Sequence, residues 1–466
     1  MTITFNIRTA ATLSLCLFGL VLAARSASPP AFGRHCIPPG CVTPPSNIPD
    51  ILGRRALPGG RIAVLGATSD LHYGLRGPSS AGAQSLTGIW DATVIVDNLD
   101  VPFRMELSGS GAEVKGAFFN GDERVTSTTG RFDSGLLLLT FSEYGTTLNA
   151  TFTDGQLQGR YDRGERGFYP FRAKRFSPSP AAGDTDVPSI AGLWNVQVKS
   201  PKGEDAWRFI VRQAGPEVTA AILRVDGDTG TLSGAYRDGH FLLSHFSGAR
   251  PSLFYITVKN DGTLEIVQNA ETKMRAVRAD AALAAGLPEP SDPSRFTSVK
   301  DPSEPFRFSF PALDGGNVAN TDARFAGKVV IVSISGSWCP NCHDEAPFLA
   351  DLYRRYRQRG LEIVSLSFEE GEQLKNPKRL RAFIKRYQID YPVLLAGEPK
   401  ELAEKLPQAV NLSAFPTTFF IGRDGLVRGT HAGFPSVASG HFHAEAKAEI
   451  VATVERLLGE ARQTSR

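Results

Sequence analysis

Cysteine is scarce in this chain of 466 residues: there are five, and only one Cys-x-x-Cys, at Cys339 and Cys342. A structural zinc site takes about four ligands, usually two such pairs or nearby histidines. The missing second pair therefore counts against a zinc clip. A surplus of charge is lacking too, since 51 Lys+Arg stand against 48 Asp+Glu for a net +3. No global field draws the chain to nucleic acid or to an anionic membrane surface. Long hydrophobic runs are absent but for "TAATLSLCLFGLVLAA", 16 residues near the N-terminus, which is shorter than the roughly 20 residues of a membrane span.

That run follows the weakly basic "MTITFNIR" and precedes the small residues of "AARSAS", the order of an export signal. Residues 1–27 are read as a cleaved signal peptide, with an uncleaved membrane anchor as the alternative. Arg25 interrupts the small-x-small pattern, so the cut is not fixed. Leu15 stands where a lipoprotein signal places a small residue, which leaves Cys16 as an apolar member of the signal core. Export places the chain in the periplasm or another oxidising compartment, where disulfides persist. Membrane contact is expected only if the segment stays attached, with the protein then facing the periplasm. Residues 28–84 form a Pro-rich linker that holds Cys36 and Cys41. With Pro38, Pro39 and Gly40 between them, these two can close a small disulfide loop; a free pair, or a metal site shared with His35, is the alternative.

At about 150 residues per domain, the length allows about three domains. An internal repeat accounts for two of them. "LTGIWDATVIV" (86–96) matches "IAGLWNVQVKS" (190–200), and "GRFDSGLLLLTFS" (130–142) matches "GAYRDGHFLLSHFS" (234–247), both at an offset of 104 residues. Short alternating apolar runs broken by Gly and Asp-Gly give antiparallel hairpins in both copies. The expected architecture is two repeated antiparallel all-β modules, each a sandwich or small barrel, at 85–176 and 189–279. Gly88/Trp90 and Gly192/Trp194 resemble the first-strand signature of lipocalin-like barrels. A Trp closing one end of a core explains them as well as ligand binding does. Residues 280–305 are a second linker.

From 306 to 462 strands alternate with helices, giving a mixed-sheet α/β domain. "KVVIVSIS" is a continuous apolar run suited to a buried parallel strand. In the helix after it, Phe348, Leu349, Leu352, Tyr353 and Tyr356 lie on one stripe that ends at Gly360. A strand "LEIVSLSF", a basic helix near 378–388 and "YPVLLA" follow. Two strands turning on Asp424-Gly425 and a last helix complete the domain. His441 and His443 fall in a loop before that helix, where two histidines are too few for a metal site.

Cys339 sits just after the central strand, at the start of the helix that carries Cys342. Free amides and the helix dipole there favour an anion, so Cys339 loses its proton more readily than a free cysteine near pH 8.5. The thiolate attacks disulfides, and Cys342 stands close enough to resolve a mixed disulfide. A structural disulfide rarely spans a strand-to-helix turn at the exposed end of a sheet, which makes redox work the leading reading over a staple or a clip.

The order strand, "WCPNC", helix with "EAP", then "AFPTTFFIGRDG" resembles the thioredoxin superfamily, and more closely its exported TlpA/ResA-type thiol-disulfide oxidoreductases within the redoxin group. The resemblance covers about residues 302–462. It implies an α/β thioredoxin-fold domain with Cys339 as nucleophile, Cys342 as resolving thiol and the two as a redox-active disulfide. It makes Pro416 the cis-proline opposite the disulfide, with Phe415 before it, and Trp338 the tryptophan beside the first cysteine. Glu345 matches an acidic residue of the TlpA/ResA branch that relays a proton to or from the second thiol; a solvated carboxylate at the helix N-terminus is the plainer reading. Pro347 matches the helix-kinking proline. Ser333 departs from the pattern, because cytosolic thioredoxins carry a buried aspartate there, and Glu345 becomes the better proton carrier. His343 either tunes a thiolate or faces solvent.

The expected function is an exported oxidoreductase that exchanges this dithiol with protein disulfides, as a reductase, without cofactor or metal. Its partners are protein disulfide substrates and a thiol electron donor, and no nucleic acid. A peroxiredoxin is the enzymatic alternative, disfavoured because that family places Thr or Ser three residues before its cysteine and Pro seven before, where Gly336 and Val332 stand. A binding or scaffold protein whose β modules recognise a partner is the other alternative.

Overall fold

Alternation of apolar and polar residues, broken by glycines, folds the first module into an antiparallel meander. The computed structural model describes residues 85–178 and 187–460, so the signal segment, the Pro-rich stretch, Cys36 and Cys41 lie outside the described residues. The strands are β1 (Gly88–Val96), β2 (Leu99–Ser108), β3 (Lys115–Asn120), β4 (Glu123–Thr126), β5 (Thr129–Asp133), β6 (Leu136–Phe141), β7 (Thr146–Thr153), β8 (Gln156–Asp162) and β9 (Phe168–Arg175). Each pairs with the next except at β4 and β5, the two edges, and β9 returns to β1. Ser127, between the two edge strands, bonds to β3, its amide donating to Gly116 O at 2.7 Å and Gly116 N donating to its hydroxyl at 3.0 Å.

The second module repeats the plan with β10 (Gly192–Gln197), β11 (Ala206–Ala214), β12 (Glu217–Arg224), β13 (Gly227–Asp228), β14 (Leu232–Arg237), β15 (His240–His245), β16 (Ser252–Val258), β17 (Leu264–Gln268) and β18 (Thr272–Arg278). Here β12 pairs directly with β14, and β18 with β10. Eight strands thus close a barrel, while β13 folds back on β12 as a short arm at Arg224–Gly227. Of the two architectures expected from the repeat, the second module adopts the closed barrel, while the sheet of the first curls into a half-barrel left open between β4 and β5. Packed side chains fill both interiors, among them Trp90, Phe118, Phe141 and Tyr161 in the first and Trp194, Phe209, Phe241 and Phe254 in the second.

The Gly-x-Trp pairs have a structural role in these barrels. Each indole N–H donates to the carbonyl four residues earlier, Trp90 to Leu86 at 2.9 Å and Trp194 to Ile190 at 2.8 Å. Arg175 lies over the Trp90 ring at 4.5 Å and Arg278 over Trp194 at 4.0 Å. A Cβ on Gly88 or Gly192 would come within 2.8 or 3.0 Å of the arginine Nη1. Glycine is therefore the residue that lets this clasp close.

Residues 280–305 are more than the linker their composition implies. They carry α1 (Ala279–Ala284, beginning one residue earlier), α2 (Pro293–Phe296) and β19 (Ser298–Val299), the last paired with β25 (Ala409–Val410). Asn195 Nδ2 donates to Pro288 O at 2.8 Å and Asn411 Nδ2 to Phe296 O at 2.9 Å. Proline and serine set the composition of this stretch, but side-chain hydrogen bonds from both neighbours hold it in place.

The C-terminal domain is built on a five-stranded sheet in the order β24-β23-β22-β26-β27. Before it stands the hairpin β20 (Ser309–Pro311) and β21 (Asn317–Ala319). β22 (Val329–Ser335) is central and runs parallel to β23 (Leu361–Phe368), as does β24 (Val393–Gly397). β26 (Thr417–Ile421) and β27 (Val427–Ala432) are antiparallel. Val329 and Ile331 face α3 (Pro340–Tyr356), α5 (Lys378–Tyr387) and α7 (His441–Gly459). Val330, Val332 and Ile334 face a second core with Phe306, Phe308 and Phe325. Short α4 (Gly371–Lys375) and α6 (Leu402–Lys405) complete the order. This is the thioredoxin fold. His441 and His443 lie in the first turn of α7 rather than in a loop before it, and His443 Nδ1 faces Pro435 O at 2.8 Å. No helix among the described residues is long and apolar enough to cross a membrane.

Candidate active site

The end of β22 delivers the chain through Gly336–Trp338 to Cys339, which is the N-cap residue of α3 with Pro340 in the first turn. Proline suits that position because its missing N–H would have no helical partner there. Both thiols are free; Cys339 is 0% and Cys342 2% exposed. Cys339 Sγ donates to Phe415 O at 3.3 Å, and the Phe415–Pro416 peptide is cis. The Trp338 ring packs 5.2 Å from Phe415, and its indole N–H donates to Phe368 O at 2.9 Å. Cys339, Cys342, Trp338, Phe415 and Pro416, which span 79 positions from 338 to 416, meet at one end of the sheet.

The two thiols differ electrostatically. Burial acts to raise Cys339, but the hydrogen bond with the Cys342 thiol and the Arg250 guanidinium outweigh it and hold Cys339 below its ordinary value. Burial, the Cys339 sulfur and Glu345 all push Cys342 well up. Cys339 is thus the sulfur able to become a thiolate first, and thiolate is the attacking species.

Glu345 is 3% exposed, so it is not a solvated first-turn carboxylate. Ser333 Oγ donates to Oε2 at 3.1 Å and Thr418 Oγ1 to Oε1 at 3.0 Å. Those two hydroxyls sit directly opposite each other in the β22–β26 ladder. Ser333 therefore lacks an acid of its own but receives one from α3. Burial pushes the Glu345 carboxyl up to about 7, the two hydroxyl bonds acting the other way. A cavity of about 10 Å³ lined by Ser333, Ser335, Cys342, Glu345, Ser365 and Tyr391 lies between the acid and the second thiol. That is about the room one water needs.

The sequence reading missed a buried ion pair beneath the cysteine turn. Glu369 is fully buried and accepts from Ser337 N at 2.7 Å, Ser337 Oγ at 2.7 Å, Ser367 Oγ at 2.8 Å and Arg379 Nη2 at 3.0 Å. It fixes the residue before Trp338. A pair of carboxylates directly after the strand run "LEIVSLSF" was the available signal.

His343 does not face solvent, and its imidazole bonds elsewhere than to the cysteines. It is buried, stacks on Tyr144 of the first barrel at 4.1 Å and 8°, and sets Nδ1 2.9 Å from the Tyr387 hydroxyl and Nε2 2.9 Å from Ser337 O. Burial pushes its imidazole down to about 3. The second barrel approaches the other side, where Asn341, between the cysteines, donates from Nδ2 to Asp226 O. A cleft of about 340 Å³ opens where the three domains meet, lined among others by Glu123, Arg124, Arg250, Asn341, Asp344 and Arg386.

A thioredoxin-fold domain with a Cys-x-x-Cys at the N-terminus of its first long helix is the class these features define. Residues 303–430 match the model of the AhpC/TSA family. Among curated proteins, a thiol-disulfide oxidoreductase ResA of Bacillus cereus is 31% identical over 116 residues, 25% of this chain and 60% of that protein. ResA of Bacillus subtilis (strain 168) is 28% identical over 130 residues, 28% of this chain and 66% of that protein. A solved thiol:disulfide interchange protein of the thioredoxin family from Chlorobium tepidum TLS is 27% identical, with a TM-score of 0.27, over 35% of this chain and 100% of that one. The chain spans about 60% of the length of the first of these curated relatives. The resemblance to TlpA/ResA-type thiol-disulfide oxidoreductases holds for the C-terminal domain. At Gly336, a Cβ would meet Trp338 Nε1 at 2.4 Å and Phe368 O at 2.8 Å, so the Thr or Ser of a peroxiredoxin does not fit there.

Proposed function

We propose that this chain is an exported thiol-disulfide oxidoreductase whose Cys339–Cys342 dithiol reduces disulfides in proteins. The observation that carries the reading is the pairing of an acidified Cys339 at the α3 N-terminus with a raised Cys342 that has Glu345 behind it. The Cys339 thiolate attacks one sulfur of a substrate disulfide, forming a mixed disulfide and releasing the other sulfur as a thiolate. Glu345, as carboxylate, takes the Cys342 proton across the water-sized cavity. The Cys342 thiolate then attacks Cys339 Sγ, releasing the second substrate thiolate and closing the Cys339–Cys342 disulfide. Two electrons pass to the substrate, and a dithiol donor protein in the same compartment returns them by the reverse exchange.

The test is dithiothreitol-driven reduction of a disulfide-containing protein. Cys339→Ser abolishes turnover, whereas Cys342→Ser accumulates a mixed disulfide visible by mass. Turnover that survives Cys339→Ser overturns the reading. Equilibration of the pair against a glutathione series fixes direction, since dithiol proteins span about −270 to −120 mV; a potential at the oxidising end refutes the reductase assignment.

A further inference from the structure

Thiol exchange needs an open line of approach to the attacking sulfur, yet Cys339 is wholly buried. Residues of its own domain pack around it, and the second barrel closes on the turns beside it. Where β12 turns into β13, Val225 packs with Ala414 and Ala432 in a small cluster beside the Phe415–Pro416 turn. The next residue, Asp226, accepts at its carbonyl the hydrogen bond from Asn341 on the opposite flank of Cys339. Gly227 forms a parallel bridge with Phe434. Asp228 then accepts from Ser436 N at 2.8 Å, Ser436 Oγ at 2.9 Å and Ser439 Oγ at 2.5 Å.

The fit is close on both sides. A Cβ at Gly227 would meet Asn341 Nδ2 at 2.3 Å and Phe434 O at 2.5 Å, and one at Gly433 would meet Val225 O at 2.3 Å. Yet the apolar part of the contact is small, a valine and two alanines with Phe296 packed against them, and the rest is a set of buried hydrogen bonds. Such a contact opens more readily than the filled core of either barrel, because little apolar burial marks the low end of local stability.

We propose that the face formed by Asn341, Ala414, Ala432–Phe434 and Ser436–Ser439 is an interaction surface held shut by the chain's own β12–β13 arm, which an extended polypeptide segment carrying a disulfide must displace to reach Cys339. The arm itself shows the partner this face fits: extended backbone with small side chains. The inference rests on the redox reading above, but its test does not depend on turnover.

The experiment is alkylation of reduced full-length protein by iodoacetamide, in which the Cys339 thiolate displaces iodide, followed by peptide mapping. Asp228→Ala removes the bonds from the barrel side, and Ser436→Ala with Ser439→Ala removes the hydroxyl bonds from the other, leaving the one from the Ser436 amide. Each raises the Cys339 alkylation rate about tenfold or more, because bonds to a charged acceptor are among the stronger ones. Hydrogen exchange of the unaltered protein is the second arm, in which 223–228 and 432–439 exchange together and faster than β15–β17. Folded variants with unchanged alkylation overturn the proposal, as does protection of the arm equal to that of the barrel strands. If the redox reading fails instead, turnover is absent while the alkylation and exchange results still stand.

Discussion

Glu345→Gln isolates the buried acid. The carboxyl lies at about 7 against an ordinary 4.5, so between those values the folded protein binds a proton that the unfolded chain has released. Stability must then fall as pH rises through this window, being fullest below about 4.5 and lowest above about 8. At about 1.4 kcal/mol per pH unit, the whole loss is about 3 kcal/mol. Glutamine keeps the shape and can bond both Ser333 and Thr418, since the hydroxyls rotate, but it does not ionise. Guanidinium unfolding of both proteins, reduced, from pH 4.5 to 8.5 gives the comparison, in which all other titrating groups cancel. The variant gains on the wild type by about 3 kcal/mol across the range, with most of the gain between pH 5 and 7. A constant difference between the two curves would show that Glu345 keeps an ordinary carboxyl and would remove the proton carrier from the mechanism. The same variant resolves the mixed disulfide more slowly, because Cys342 loses the base behind it.

Three further outcomes follow from other parts of the structure. Glu369→Gln removes the buried one of the two carboxylates on Arg379, leaving Glu370 at 2.7 Å, and denaturation should show a loss of about 3 kcal/mol; a loss under about 1 kcal/mol would mean that the pair does not hold the cysteine turn. His343 stays neutral in the fold although an ordinary imidazole titrates at 6.5, so stability is full above 6.5 and falls with acid, by about 2 kcal/mol at pH 5. His343→Gln flattens that slope, and a slope identical to wild type refutes the assignment. Arg175→Ala and Arg278→Ala strip the ring cover from Trp90 and Trp194; calorimetry should find equivalent losses of about 1 kcal/mol each, whereas a loss at only one site would deny the two clasps a common role.

What was legible in the sequence was what repeats locally. The offset of 104 residues and the Asp-Gly breaks carry the two β modules, because strand period and turn chemistry are properties of neighbouring residues. The apolar run of β22 and the cysteine spacing carry the C-terminal domain for the same reason. Glu345 was visible as a candidate through its match to an acidic residue of the TlpA/ResA branch, but its burial against Ser333 and Thr418 was not, since that depends on which strand stands beside β22. Residues 280–305 were misjudged because proline and serine content speaks of the isolated chain, while Asn195 and Asn411 supply the bonds that order it.

The barrel cover over the cysteines was the least legible feature, and the reason bears on function. Asp226 and Asn341 are 115 positions apart, and Asp228 and Ser436 are 208 apart. No periodicity links such pairs. The closest contacts are made by Gly227 and Gly433, residues that in a sequence look only like loop punctuation. Burial is the largest influence on Cys339 and raises it, as does Asp226 of the second barrel, while Arg250 of the same barrel lowers it. Moving the barrel away removes these opposed influences together. Because burial penalises the thiolate most, an opened site exposes a sulfur that ionises more readily as well as one that can be reached. The pH dependence of Cys339 alkylation separates these contributions: in Asp228→Ala the midpoint should move down relative to wild type while the plateau rate rises, and a midpoint moved up would show that the loss of Arg250 outweighs the loss of burial.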